Sequence, residues 1–356
     1  MGYFRDNVER AKAYEPGFQP QRMDVVKLNT NENPYPPSPQ VMKVLAELTP
    51  EQLRRYPDPL GSAFRQAAGQ VNHVEPDCIL CCNGGDELLN LALRAFCDEN
   101  RPVAYPVPTY SLYAVLANLQ NCEAIEIPFD GEFNLPPKLV GTGAALTIIC
   151  NPNAPTGSFV NVEELASLAD ELTGVLLIDE AYVDFADMNC APLVKDFDNV
   201  IILRSMSKGY SLAGLRFGYA MAQPDLIAGL AKVKDSYNVD AVAIAAATAA
   251  IKDQPYFQEN AEKIKRDREV LAEQLRALRD PATREPKFEV PKSHANFVLA
   301  ETKDGKAGEI YDKLVQRNIY VRFFDLPGLS DKLRITVGTR EQNDELIAAL
   351  KEILSK

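Results

Sequence analysis

Lys208 sits in "RSMSKGYSLAGLRFGY", between two serines and an arginine, directly after the apolar run "VIIL". An ammonium group at the carboxyl end of a strand is either solvated or a reactive amine aimed into a crevice. Ser205, Ser207 and Arg216 surround it with two hydroxyls and a guanidinium, a donor set that clamps a phosphate. The second chemical stretch is "GVLLIDEAYVDF", where Asp179 and Glu180 end another apolar run. A carboxylate at the end of a buried strand is unfavourable unless it meets a cation, so Asp179 needs a partner, and a protonated pyridine nitrogen would be one.

Three further turns extend the set. After "CILCCN" comes "GGDELL", where Gly84 and Gly85 allow a tight turn and Asp86 and Glu87 open a helix whose free amides suit a phosphate. "VPTYSLY" puts Tyr110 at a helix start, where its ring can stack on a flat group. "NPNAPTG" fixes the chain with two prolines and a glycine while Asn151 and Asn153 offer amide donors. Each alone is an ordinary turn, but together they follow successive strands, where sheets of this kind bind ligands. A lysine that forms a Schiff base with an aldehyde, an electron-sink ring and an acid at the ring nitrogen would use all of them.

The elements that must hold these residues are legible. From about Asp77 to Met221 the runs "CILCCN", "PVAYP", "EAIEIPF", "ALTIIC", "GVLLIDEAY", "VIILRS" and "RFGYAMA" read as strands separated by amphipathic stretches. Several are apolar without alternation, which predicts strands covered on both faces and mainly parallel. Helices are expected over Asp86 to Cys97, Val162 to Leu172, Asp240 to Ile251 and Pro255 to Leu278. "RDPATREPK" reads as a boundary, followed by "FEVPKSHANFVLAE", the helix "AGEIYDKLVQRN", the strands "IYVRFF" and "KLRITVG", and a last helix. The division predicted is an arm over 1–40 packing on the small domain or a partner subunit, a large α/β domain over 41–278 and a small α+β domain over 279–356.

Composition narrows the function. The 356 residues carry a formal net charge of -12, which argues against a nucleic-acid surface but leaves small anionic substrates open to a local arginine pair. Seven cysteines in apolar runs read as reduced, buried thiols, and the two histidines lack triad motifs around them. A metal site is not expected. No run approaches the roughly 20 apolar residues of a membrane helix, and "MGYFRDNVER" is too charged for a signal peptide, so a cytoplasmic location is expected.

Through "LNTNENPYPPSP", "RRYPDP", "GGDELL", "PTYSLY", "NPNAPTG", "DEAYVDF", "SMSKGYSLAGLRFGY", "SYNV", "ANFVL" and "LRITVG", the chain resembles the fold-type I pyridoxal-phosphate aminotransferases, and within them the histidinol-phosphate aminotransferase family. The resemblance spans nearly the whole chain and implies a three-layer α/β/α large domain with a mainly parallel sheet, plus a small α+β domain. It implies pyridoxal 5'-phosphate bound by Lys208, with Asp179 on the pyridine nitrogen, Tyr182 and Asn153 on the ring hydroxyl and Tyr110 stacked on the ring. Ser205, Ser207, Arg216 and the backbone around Gly85, Asp86 and Glu87 would hold the phosphate. Tyr56 would reach it from the neighbouring subunit of a homodimer with shared sites. Tyr14, Tyr237, Arg322 and Arg334 would bind substrate. The implied reaction moves an amino group between histidinol phosphate and 2-oxoglutarate. Threonine-phosphate decarboxylation, aromatic amino-acid transamination and a cofactor-binding regulator without turnover are the alternatives. One departure stands out: relatives usually read N-N-P-T-G, and this chain has Ala154 before the proline.

Overall fold

The structure is a computed structural model that describes residues 2–11, 17–22, 24–131, 133–281 and 283–355. Strand β1 (Val26–Lys27) belongs to the amino-terminal arm. Strands β2 (Ile79–Cys82), β3 (Val103–Val107), β4 (Ala124–Pro128), β5 (Leu146–Cys150), β6 (Val175–Asp179), β7 (Val200–Ser205) and β8 (Gly218–Ala222) form one sheet in the order β2-β8-β7-β6-β5-β3-β4. Only β8 runs antiparallel to its neighbours, β2 and β7.

The missing alternation in the apolar runs has a direct cause. Ile149, Ile178 and Ile202 enter the core on one face of the sheet, with the helices Ser62–Asn72, Val162–Glu171 and Ala241–Lys252. Their neighbours Ile148, Leu177 and Ile201 enter the core on the other face, with the helices Gly84–Phe96, Leu112–Gln120 and Pro224–Ala231. Both faces are dry, so both side-chain sets must be apolar. The same alternation sends the adjacent Asp179 and Glu180 to opposite sides of the sheet.

The smaller lobe is a four-stranded antiparallel sheet, order β12-β13-β10-β9, from β9 (Phe288–Glu289), β10 (Phe297–Thr302), β12 (Arg322–Phe323) and β13 (Lys332–Thr336). Here the single strand expected for "IYVRFF" is split. Its first part, β11 (Ile319–Tyr320), pairs in parallel with β1 of the arm, and β12 then joins β13. Val321 between them is buried, so the chain changes sheets about a core residue.

The long helix Gln254–Ala277 contributes Ile264, Leu271 and Leu275 to the core of this lobe, together with Val26 and Leu28 of the arm. The boundary expected at 278 therefore follows a helix already packed into the smaller core. The arm touches both lobes: besides the β1 pairing, Asn7 Nδ2 donates to Asn118 O of the large lobe at 2.8 Å.

Candidate active site

A cavity of about 370 Å³ opens where the carboxyl ends of the large-sheet strands meet the arm and the small lobe. Gly85, Asp86, Tyr110, Asp179, Tyr182, Ser205, Ser207, Lys208, Arg216, Arg322 and Arg334 all line it. Sequence positions from 85 to 334 thus converge on one chamber, because the parallel strands all end on the same edge.

At the end of the chamber beside Arg216, the helix Gly84–Phe96 begins at Gly84 with φ 80°. The left-handed backbone favours glycine at Gly84, and a Cβ there would lie 2.8 Å from Arg216 Nη2 and displace the guanidinium. Arg216 donates to Asp86 Oδ2 at 3.2 Å and to Ser207 Oγ at 3.4 Å. Glu87 turns away from the cavity: its Oε2 accepts from Asn83 N at 2.5 Å and from Asn238 Nδ2 at 2.8 Å, tying down the helix start.

Asp179 and Glu180 differ in how their charge is met. Glu180 accepts from Arg204 Nε at 2.7 Å, an ion pair buried beneath the sheet. Asp179 accepts from Tyr113 Oη at 2.8 Å and Ala181 N at 3.1 Å, and among the described residues it has no ion pair. Burial pushes its carboxyl up to about 6. A buried carboxylate facing a cavity without a cation fits a ligand that brings one.

Lys208 Nζ donates to Thr30 O at 3.2 Å. Burial, with Arg334 and Arg216 nearby, pulls its ammonium down to about 8. The neutral, nucleophilic amine therefore gains population as pH rises through 8, far below the ordinary lysine range. Covalent capture of an added aromatic aldehyde phosphate by the cofactor-free protein is expected to accelerate with pH around a midpoint near 8. Stopped-flow absorbance checks this, and a rate still climbing only above pH 10 would contradict the depressed amine.

In the small lobe, Arg322 and Arg334 stand directly opposite each other across β12 and β13. Like charges at such a cross-strand pair repel, so the arrangement suits an anion held between or beside them. Phe324 lies under both guanidiniums, 5.2 Å from Arg322 Cζ and 5.5 Å from Arg334 Cζ.

Among the described residues, not every expected one lines the chamber from within this chain. Asn153 is buried with its amide committed to the loop: Nδ2 donates to Pro108 O at 3.0 Å and Thr156 Oγ1 at 2.9 Å, and Oδ1 accepts from Thr109 Oγ1 at 2.8 Å. Ala154 lines the cavity instead. The expected contact from Asn153 is thus not formed, since its donors are already spent on the turn. Tyr56 and Tyr237 stack on each other at 4.4 Å and are 80% and 46% exposed, outside the cavity. Tyr14 lies outside the described residues.

Other residues entered unannounced. Asn33 Nδ2 donates to Lys208 O and Gly209 O at 3.0 and 3.1 Å, and Asn29 O accepts from Arg334 Nη2 at 3.0 Å. The strap "NTNEN" therefore holds the lysine and an arginine together, and its density of asparagines was the available signal. Tyr113, in the first turn of the helix Leu112–Gln120 and three residues after Tyr110, was signalled by its spacing alone.

The aminotransferase class I and II family matches residues 23–350. Histidinol-phosphate aminotransferase 1 of Trichormus variabilis is 48% identical over 354 residues, covering 99% of each chain. The crystal structure of histidinol-phosphate aminotransferase from Sinorhizobium meliloti in complex with pyridoxal-5'-phosphate superposes with TM-score 0.88 at 25% identity, covering 100% of this chain and 98% of that one. L-threonine-O-3-phosphate decarboxylase from Porphyromonas gingivalis shares the fold at TM-score 0.81 and 24% identity, covering 92% and 99% of the two chains. With a fold-type I architecture, a family match over most of its length and relatives 48% identical over the whole chain, the chain belongs to the class I and II aminotransferases.

Proposed function

We propose that this chain is a pyridoxal-phosphate-dependent histidinol-phosphate aminotransferase, converting L-histidinol phosphate and 2-oxoglutarate to imidazole-acetol phosphate and glutamate. The observation that carries the reading is the 48% identity to the Trichormus variabilis enzyme over the whole of both chains. The cavity supports it chemically. Asp179 lacks the cation that a protonated ring nitrogen would supply, and the amides of Gly85 and Asp86 with Ser205, Ser207 and Arg216 form a cradle for a phosphate. Tyr110 offers a ring wall and Tyr182 a hydroxyl. Glu87 and Asn153 do not line the cavity.

When bound, pyridoxal phosphate supplies an aldehyde for amines and a ring that draws negative charge from the substrate carbon. Lys208 would hold the group, and its Nζ would accept and return the proton of the amine-bearing carbon. Asp179 would keep the ring nitrogen of the bound group protonated. Arg322 and Arg334 grip the anionic end of the substrate, the phosphate of histidinol phosphate or a carboxylate of glutamate in turn, because a guanidinium fork fits either.

A substrate panel tests the reading. Amino transfer from histidinol phosphate to 2-oxoglutarate supports it; carbon dioxide release from threonine phosphate, preference for aromatic amino acids, or cofactor uptake without transfer would replace it. Arg334→Lys is expected to weaken both half-reactions about tenfold or more, since one amine cannot replace a fork. Arg322→Ala is expected to weaken the phosphate half-reaction more than the glutamate one. Single-turnover absorbance on each substrate separates them, and equal losses would remove Arg322 from the phosphate contact.

The reading includes a two-fold homodimer in which Tyr56 and Tyr237 serve the neighbouring chain's cavity. An exposed apolar region of Met42, Leu53, Tyr56 and Leu60 supports it. Nearby, an apolar hollow of about 650 Å³ is lined by Val44, Pro57, Ile244 and Ala245. Mixing Lys208→Ala chains with Tyr56→Phe chains is expected to restore activity, because a heterodimer then holds one site with neither lesion. An active monomer on sedimentation, or no recovered activity, would overturn sharing. Six of the seven free cysteines are buried, which accords with a reducing, cytoplasmic location.

A further inference from the structure

Tyr182 meets the cavity with its hydroxyl already engaged: Asn31 Nδ2 donates to Tyr182 Oη at 3.0 Å. A phenol has one proton and two lone pairs. With a lone pair taken by Asn31, the proton is left for a different acceptor. Burial pushes the Tyr182 phenol up to about 12, so the proton stays on the oxygen across the working range.

The direction of the Asn31 amide is fixed from its other side. Its backbone N–H donates to Thr336 Oγ1, and that hydroxyl donates back to Asn31 Oδ1, each at 3.0 Å. Reversing the amide would leave the buried Thr336 proton without an acceptor among the described residues. Asn296 Nδ2 holds the Asn31 carbonyl at 2.9 Å. Asn31 adopts φ 55°, a left-handed conformation that asparagine tolerates better than most residues. It is 1% exposed.

We propose that Asn31 is a positioning residue that aims the single proton of Tyr182 into the cavity, making Tyr182 a committed donor to the ring oxygen of the bound cofactor. The inference rests on the pyridoxal-phosphate reading and deepens it. Ala154 offers no side-chain donor and the Asn153 amide is engaged in its own loop, so the orientation of the Tyr182 proton is the side-chain contribution to how that oxygen is solvated.

The test reads the pH midpoint of the visible band of pyridoxal phosphate joined to Lys208, which reports the proton held at the lysine nitrogen. A donor on the ring oxygen stabilises the oxygen's anion and lowers this midpoint, so losing the donor raises it. Asn31→Asp keeps the shape but can only accept, turning the Tyr182 proton away from the cavity. Asn31→Asp and Tyr182→Phe are each expected to raise the midpoint by about one pH unit, a roughly tenfold change. The double variant is expected to move no further than Tyr182→Phe. A carboxylate acting through its charge alone would raise the midpoint in the Tyr182→Phe background as well, and such a rise would overturn the proposal.

Asn31→Gly suits the backbone at this position and adds no charge, so it serves even if the aspartate variant fails to fold. It is expected to raise the midpoint at least about twofold in the proton equilibrium with Tyr182 present, and not at all in the Tyr182→Phe background. An unchanged midpoint in both Asn31 variants would overturn the proposal. Wild-type protein that takes up no pyridoxal phosphate would instead refute the cofactor reading itself, so the two failures are distinct.

Discussion

Lys208→Ala is expected to lower turnover by roughly 10⁴-fold or more, since on the proposed reading the substitution would remove both the covalent anchor and the proton carrier in one step. The fold should survive. The side chain's recorded hydrogen bond is to Thr30 O, and its ammonium is disfavoured by burial, so alanine relieves a desolvated charge. Cofactor should still associate through the cradle of Arg216, Ser205 and Ser207, but borohydride should no longer fix it to the chain. Mass spectrometry of the reduced, denatured protein checks this directly. A cofactor adduct retained on the variant would move the nucleophile to another lysine.

Asp179→Asn is expected to preserve covalent capture by Lys208 while slowing turnover by roughly 10²- to 10⁴-fold, because a neutral amide cannot hold a ring nitrogen protonated. The same substitution carries a stability signature of opposite sign. Burial raises the Asp179 carboxyl from 3.8 to about 6. A carboxyl with a folded value above its unfolded one supports the fold below pH 3.8 and loses that support as pH rises through 6. At pH 8 the ionised, cation-free group thus opposes folding of the cofactor-free protein by about 2–3 kcal/mol as an upper bound. Cofactor-free Asp179→Asn should therefore unfold at a higher temperature than wild type at pH 8, and the gap should close below pH 4. Calorimetry at the two pH values decides it. Equal melting at pH 8 would mean that the carboxylate already has a counter-charge.

Most of the large lobe was legible because its signals are local. Runs such as "TIIC" and "LLID" carry apolar residues on both sides of the pleat, and that pattern alone requires helices on both faces. The helices expected at Val162 to Leu172 and Asp240 to Ile251 end within a residue of those found, Val162–Glu171 and Ala241–Lys252. The second has its start fixed by the Asp240 side chain, which accepts from Ala243 N at 2.8 Å.

Chemical types at strand ends were equally visible, since a lysine, an acid and a glycine turn each stand next to the strand that carries them. The sequence by itself therefore determined which residues could do chemistry and the sheet edge on which they gather. Only the tertiary structure decided which of them reach the chamber. Asn153 sits at the right place in the chain, but its amide bonds Pro108, Thr109 and Thr156, and nothing in the local motif reveals that choice. Arg322 and Arg334 become a facing pair only when β12 is paired with β13, and the β11–β12 break at Val321 depends on a strand from the arm. Asn31 meets Thr336 across 305 positions of sequence. Periodicity and propensity act over a few residues, whereas the direction of a polar side chain is set by whichever partner the fold brings within 3 Å.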